Sequence, residues 1–230
     1  MYRPFDRFHP EEKFISVIGS GGKTTLLQFL ASRLPGTVIL TTSTHMFPFP
    51  GLPLVDTSRF SQGDAEGALA AIRGVLAEER VVVAGCLNPS GKLSSPEPVL
   101  PFSVLAAEAD HCIVEADGAA GRPLKAHRSF EPVIPSCSGL TIAVAGASGI
   151  GRPAGEACHC PEIFCAIAGI TPDTPVEPEH IARVLNRESL ADCYLINQAD
   201  VLPSPEKAVR LCDLLQKDAY VTSLISGMRR

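Results

Sequence analysis

The chain lacks a basic surplus, a long apolar run and any repeat or low-complexity tract, and each absence removes a class of protein. With 25 acidic against 20 basic residues its formal charge is −5, which argues against broad nucleic-acid binding while leaving local basic loops free to hold phosphate. Hydrophobic residues make up 45% of the chain, yet no stretch approaches the roughly 18 apolar residues that span a bilayer. The N-terminal segment, with Asp6, Glu11 and Glu12, has no signal-peptide hydrophobic region. A soluble cytoplasmic protein without a membrane partner is expected. Paired metal knuckles are missing too. Of the eight cysteines, most lie in or beside apolar segments, where Cys behaves as a small hydrophobe, and a disulfide framework does not suit a cytosolic chain of this size. Cys158, His159, Cys160 and Cys165 form the one cluster that could converge on Zn²⁺. No second C-x-x-C or H-x-x-x-H pair accompanies it.

What is present is organised around Phe14 to Thr25. Phe14 to Ile18 reads as a buried strand, a glycine-rich turn follows, and Thr24 to Leu34 carries Leu26, Leu27, Leu30 and Leu34 at helical spacing. Glycines let successive backbone N–H groups converge on one concave spot, and the helix N-terminus adds a partial positive charge. Lys23 then reaches β and γ phosphates and Thr24 offers a hydroxyl to Mg²⁺. Gly19, Ser20, Gly21, Gly22, Lys23, Thr24 and Thr25 are therefore the expected phosphate contacts. The position six before Lys23 is Val17, so the full Walker A spacing is absent; the shortened form resembles the loop of the Mur ligase group. A plain glycine turn between strand and helix is the alternative.

A second strand, Thr37 to Thr42, ends in Thr41-Thr42-Ser43-Thr44-His45. Ligands of parallel sheets sit at the carboxyl ends of strands, so Thr42, Thr44 and His45 become substrate candidates, against a plain strand end and a surface histidine. Residues 47–63 read as an exposed loop, Asp64 to Arg80 as an amphipathic helix, Val81 to Gly85 as a strand, and Asn88 to Pro98 as a loop in which Lys92 is a further substrate candidate. Pro101 to Ala109 reads as a short helix.

The run from His111 to His127 is the second informative block. An apolar strand ending in Glu115 and Asp117 beside a phosphate loop supplies the hard oxygens Mg²⁺ needs and a carboxylate to orient water. Asp117, with Thr24, is the expected metal ligand, and Glu115 shares that task or acts as base. Arg122, Lys125, His127 and Arg128 follow within a few residues, and such cations past a metal carboxylate suit γ-phosphate or an anionic substrate; the alternative is a solvated basic loop.

Leu140 to Ala145 is a further strand, and the G-x-G-x-x-A match after it reads as a loop, since no clean helix or closing acid follows. Pro161 to Gly169 and Pro178 to Asn186 read as helices and Ala191 to Asn197 as a strand. Asn197-Gln198-Ala199-Asp200 resembles the Asn-Lys-x-Asp guanine-recognition element of GTPases, with Gln in place of Lys; Asn197 and Asp200 are the base contacts if it serves that purpose. Glu206 to Gln216 is the last helix and Tyr220 to Ile225 the last strand. The alternation predicts an α/β fold with a three-layer, mostly parallel sheet like that of P-loop nucleoside triphosphatases. It forms one domain over 1–230, with 146–190 open as a lid or insertion.

Together these blocks resemble the YqeC family of accessory proteins for selenium-dependent molybdenum hydroxylases. The carrying residues are Gly19 to Thr25, Thr41 to Met46, Glu115 to Lys125 and Glu131-Pro132-Val133-Ile134-Pro135. His159-Cys160-Pro161-Glu162 fits the family's His-Arg-Pro-Glu segment, with Cys160 where Arg is usual. The resemblance implies a nucleotide-dependent role, with Mg²⁺ and ATP or GTP, in maturing a molybdenum hydroxylase or handling its cofactor. Two other readings stand beside it: an ATP-dependent kinase or ligase acting on a small anionic substrate, and a nucleotide-dependent scaffold without free-standing turnover.

Overall fold

A computed structural model describes residue 8 and residues 10–224. The first strand, β1 (Phe14–Gly19), is buried along its whole length. Its side chains alternate as a pleated strand requires: Phe14 and Ile18 join one apolar cluster, Ile15 and Val17 the other. A strand buried on both faces reads as a continuous apolar run, which is why this stretch was recognisable. Helix α1 (Lys23–Arg33) follows and turns Leu26, Leu27 and Leu30 onto the second cluster.

The chain continues through β2 (Val38–Thr42), the two-residue β3 (His45–Met46), β4 (Leu54–Asp56), α2 (Ala65–Glu78) and β5 (Val81–Leu87). It then forms β6 (Leu93–Ser94), α3 (Phe102–Leu105), β7 (His111–Glu115), β8 (Leu124–Lys125) and β9 (Leu140–Gly146). The last third holds α4 (Ala154–Ala157), β10 (Cys158–His159), α5 (Pro161–Ala168), α6 (Pro178–Glu188), β11 (Cys193–Asn197), α7 (Glu206–Leu214) and β12 (Ala219–Val221).

The main sheet runs β12-β11-β9-β1-β7-β2-β5-β6-β3, with β4 also on β5. Every pairing among β12, β11, β9, β1, β7, β2, β5 and β4 is parallel. Only β6, with its partners β5 and β3, is antiparallel. The expected mostly parallel, three-layer α/β fold is therefore present: α1 covers one face, and α2, α5, α6 and α7 cover the other. Buried residues of 146–190, among them Ala147, Phe164 and Ile181, belong to the same apolar cluster as α2 and α7.

The structure departs from the sequence expectation at the edges. Residues 47–63 and 88–98, read as loops, contain β4 and β6, because strands of two or three residues carry no measurable period. The helix expected over Pro101 to Ala109 shrinks to α3. The final strand is β12 rather than Tyr220 to Ile225, and Ile225 lies outside the described residues. The end of β5, β6 and β3 form a small antiparallel flap at the C-terminal edge of the sheet, where β2 also ends.

Candidate functional site

The site begins at the turn from β1 into α1. Gly21 (φ 88°) and Gly22 (φ 128°) take conformations that side-chain-bearing residues rarely adopt. A Cβ on Gly21 would meet the Gly146 backbone at 2.5 Å and the Pro123 carbonyl at 2.9 Å, so the turn also needs glycine to approach the end of β9. Asn197 braces it from β11: its Nδ2 donates to Gly21 O at 2.8 Å while its Oδ1 accepts from Leu224 N at 3.0 Å. Ser20 Oγ donates to Arg122 O, tying the turn to the loop after β7. Lys23 is the first residue of α1, and its Nζ folds back to donate to Gly19 O at 2.8 Å.

Two carboxylates stand at the end of β7 with different surroundings. Asp117 is wholly buried; its Oδ2 accepts from Gly19 N and faces His127 Nε2, each at 2.8 Å. Lys23 Nζ lies 3.0 Å from its Oδ1, an ion-pair distance at an angle that makes no hydrogen bond, and Lys125 Nζ lies 3.4 Å from its Oδ2. Burial pushes the Asp117 carboxyl upward, but His127, Lys23 and Lys125 outweigh it and hold it below the usual carboxylate range. Glu115 accepts from Thr24 Oγ1 at 3.1 Å and sits 4.0 Å from Lys23 Nζ. For Glu115 burial prevails over Lys23 and Thr24, and its carboxyl is raised.

Behind Asp117 lies a closed ionic chain. His127 presents Nε2 to Asp117 and Nδ1 to Glu188 Oε2, both at 2.8 Å. A carboxylate at each ring nitrogen favours the protonated ring: although burial lowers its pKa, Asp117 and Glu188 raise it on balance. Lys125, whose side chain is 1% exposed, bridges Asp117 and Glu131 and donates to Gly118 O. Pairing of β8 with β10, in which Lys125 stands opposite His159, turns this stretch inward.

In front lies a cleft of about 940 Å³. Its floor is Glu115, one wall is the glycine turn with Lys23, Thr24 and Thr25, and the opposite wall is the flap with His45, Phe47 and Lys92. Exposed Arg122 lines the rim, its guanidinium donating to Glu156 O. The structure thus brings together Gly21, Gly22, Lys23, Thr24, Thr25, His45, Lys92, Glu115 and Arg122 among the residues singled out from sequence. Asp117, Lys125 and His127 form the buried support behind it. Thr42 is buried under the floor, its hydroxyl donating to Glu115 O at 2.8 Å and accepting from Thr44 N at 3.0 Å. Asn197 braces the turn, and Asp200 lies exposed on a 3₁₀ turn away from the cleft lining, its N donating to Ser223 Oγ.

Ser148, Arg152, His159 and Gln198 also line the cleft; the sequence pointed to His159 only as a metal or family-segment residue and to Gln198 only as part of a base-recognition element, and gave no role to Ser148, Arg152 or Glu188. Ser148 follows the end of β9, the strand beside β1, a signal that could have been used. Cys158, Cys160 and Cys165 are buried thiols whose pKa values burial raises, that of Cys158 to about 12. Among the described residues no group of three or more His, Cys, Asp or Glu is arranged to hold a metal ion, and no helix is long and apolar enough to cross a membrane.

A mostly parallel α/β sheet with a charged cleft at the carboxyl ends of its central strands defines the class. Within that class the chain belongs to the YqeC family: the family model described as YqeC protein matches residues 15–162. A relative from Escherichia coli (strain K12), whose name reads "Uncharacterized protein YqeC", is 35% identical over 173 residues, 71% of this chain. The match spans 63% of that relative's length. No solved structure matches the chain.

Proposed function

We propose that the chain binds a nucleoside triphosphate, ATP or GTP, with Mg²⁺ in the cleft over the glycine turn and uses it for hydrolysis or phosphoryl transfer. One observation carries this reading. Lys23 and Thr24 open helix α1 directly after Gly21 and Gly22, with Thr24 Oγ1 3.1 Å from Glu115 Oε2 on the cleft floor. A helix N-terminus, a lysine and converging backbone N–H groups suit phosphate oxygens.

Mg²⁺ takes oxygen ligands and keeps several waters. The Thr24 hydroxyl and the Glu115 carboxylate fit it, because both face the cleft and a carboxyl raised by burial gains from a divalent cation. Asp117 is wholly buried and lines no part of the cleft, with its Oδ2 taken by Gly19 N and His127 and its Oδ1 facing Lys23, so the metal task expected of Asp117 passes to Glu115, and Asp117 holds Gly19, Lys23 and His127 in place. When bound, the ion neutralises charge on the β and γ oxygens. Lys23 leaves Asp117 for the phosphates, since Lys125 and His127 remain to balance the buried carboxylate. Arg122 on the rim supports charge developing on the transferred group.

Phosphoryl transfer to a small acceptor is favoured by a second hollow that adjoins the cleft and shares His45 and Gly118 with it. The role in maturing a selenium-dependent molybdenum hydroxylase, with that enzyme or its cofactor as partner, is supported by the sequence resemblance and not by cleft geometry. Calorimetric titration of Mg·ATP and Mg·GTP tests the common premise. Lys23→Ala, folded as judged by circular dichroism, should bind either nucleotide roughly a hundredfold more weakly than the unaltered chain. Retained affinity would remove the phosphate role of the turn.

A further inference from the structure

The second hollow, about 540 Å³, differs in chemistry from the cleft it joins. The cleft is lined by the cations Lys23, Lys92, Arg122 and Arg152. The hollow has neither Lys nor Arg on its walls; its charged residues are the carboxylates Glu97 and Glu131, and His45 stands exposed at the junction. Lys125, the neighbouring ammonium, is buried against Asp117 and Glu131, and Lys92 Nζ sits over the Phe47 ring on the cleft side, 5.0 Å from its centroid.

The hydroxyls of the hollow add to this polarity. Ser43 and Ser94 spend their protons on the carbonyls of Val133 and Cys86, at 2.6 and 3.2 Å, so the lone pairs are what they have left to offer. Ser95 Oγ already accepts from Glu97 N. Thr44 Oγ1 is buried without a hydrogen-bond partner. On the rim, Phe130 exposes 69% of its surface, beside the half-exposed Val133 of the same hollow.

We propose that this hollow is the acceptor subsite of the protein and that it takes a small, flat, uncharged or cationic molecule bearing N–H and O–H donors. The ring lies against Phe130 and its donors meet Glu97 and the serine oxygens. This departs from the anionic substrate expected from the basic loop: Arg122 lines the phosphate cleft, the Lys125 and His127 side chains are buried, and the exposed Arg128 is on the walls of neither hollow. As a place for a phosphoryl acceptor the subsite rests on the nucleotide reading; as a binding site it does not.

A pair of fluorescent probes with one ring and opposite charge tests it: pyridoxamine, with an aminomethyl group and hydroxyls, and 4-pyridoxate, with a carboxylate instead. Each is titrated into the full chain with and without saturating Mg·AMP-PNP. Pyridoxamine should bind at least about tenfold more tightly than 4-pyridoxate. Glu97→Gln and Phe130→Ala, both at exposed positions whose folding is checked by thermal melting, should each weaken pyridoxamine roughly fivefold or more while Mg·AMP-PNP affinity holds. Equal binding of the two probes, preference for the carboxylate, no binding of either, or indifference to both substitutions would overturn the proposal. Pyridoxamine binding in a chain that binds neither Mg·AMP-PNP nor Mg·GMP-PNP would keep the subsite and discard the nucleotide reading instead.

Discussion

Glu115 and Asp117 stand two residues apart at the end of β7, yet Glu115 faces an open cleft and Asp117 faces only protein. The cause is local. Ala116 N donates to Val17 O and Ala116 O accepts from Val133 N, which keeps the chain paired with β1 one residue beyond the strand and delivers Asp117 to Gly19 and Lys23. Surrounded by donors, Asp117 stays ionised below the usual range; Glu115, with one hydroxyl and a distant ammonium, is raised by burial. The pair shows that two carboxylates on one strand end can divide labour, one as the anchor of a buried ionic chain and the other as the group left for a ligand.

The largest expected effect comes from removing the anchor. Asp117→Ala would leave Lys125 and His127 buried without their shared partner and should cost about 3–5 kcal/mol of unfolding free energy, read by urea denaturation. Glu115→Gln is the counterpart, and should move stability by no more than about 1 kcal/mol, since its main contact is a single hydroxyl. A large loss for Glu115→Gln with a small one for Asp117→Ala would exchange the two roles.

The buried chain also predicts a pH dependence. His127 has a folded pKa raised above the unfolded value, so its stabilisation is complete below about 6.5 and is lost as pH climbs through the higher folded value. The gap in unfolding free energy between the unaltered chain and His127→Gln should therefore narrow from pH 6 upward. A gap that widens over that range would show the histidine to be neutral between its two carboxylates.

Much of this was readable in advance. Phe14 to Lys23 declared itself because a strand buried on both faces, a glycine turn and a leucine-spaced helix follow one another within a short stretch. Glu115 was legible as a carboxylate at a strand end. The separation of Glu115 from Asp117 was not, because residues two apart on a strand share a side by alternation, and only the tertiary contact of Asp117 with Gly19 tells them apart. Lys125 and His127 read as cations for γ-phosphate or an anionic substrate; the two-residue pairing of β8 with β10 turns them inward, and Glu188, far along the chain on α6, leaves no local signal of its bond to His127.

The smallest effect is expected at Asp200. Asn197 uses its side chain on Gly21 and Leu224, and Asp200 stands off the cleft lining, so Asp200→Ala should leave ATP and GTP affinities within about twofold of the unaltered chain. A selective loss of GTP affinity would restore the guanine-recognition role suggested by the sequence.

The division between the two carboxylates is tested most directly by titrating ATP, with and without Mg²⁺, into the unaltered chain and Glu115→Gln in a calorimeter. Mg²⁺ should tighten ATP binding in the unaltered chain by roughly tenfold or more, and Glu115→Gln should match it without the ion but lose that gain. A Glu115→Gln protein that keeps the full Mg²⁺ gain, or an unaltered chain that binds neither ATP nor, in the same titration, GTP, would contradict the account.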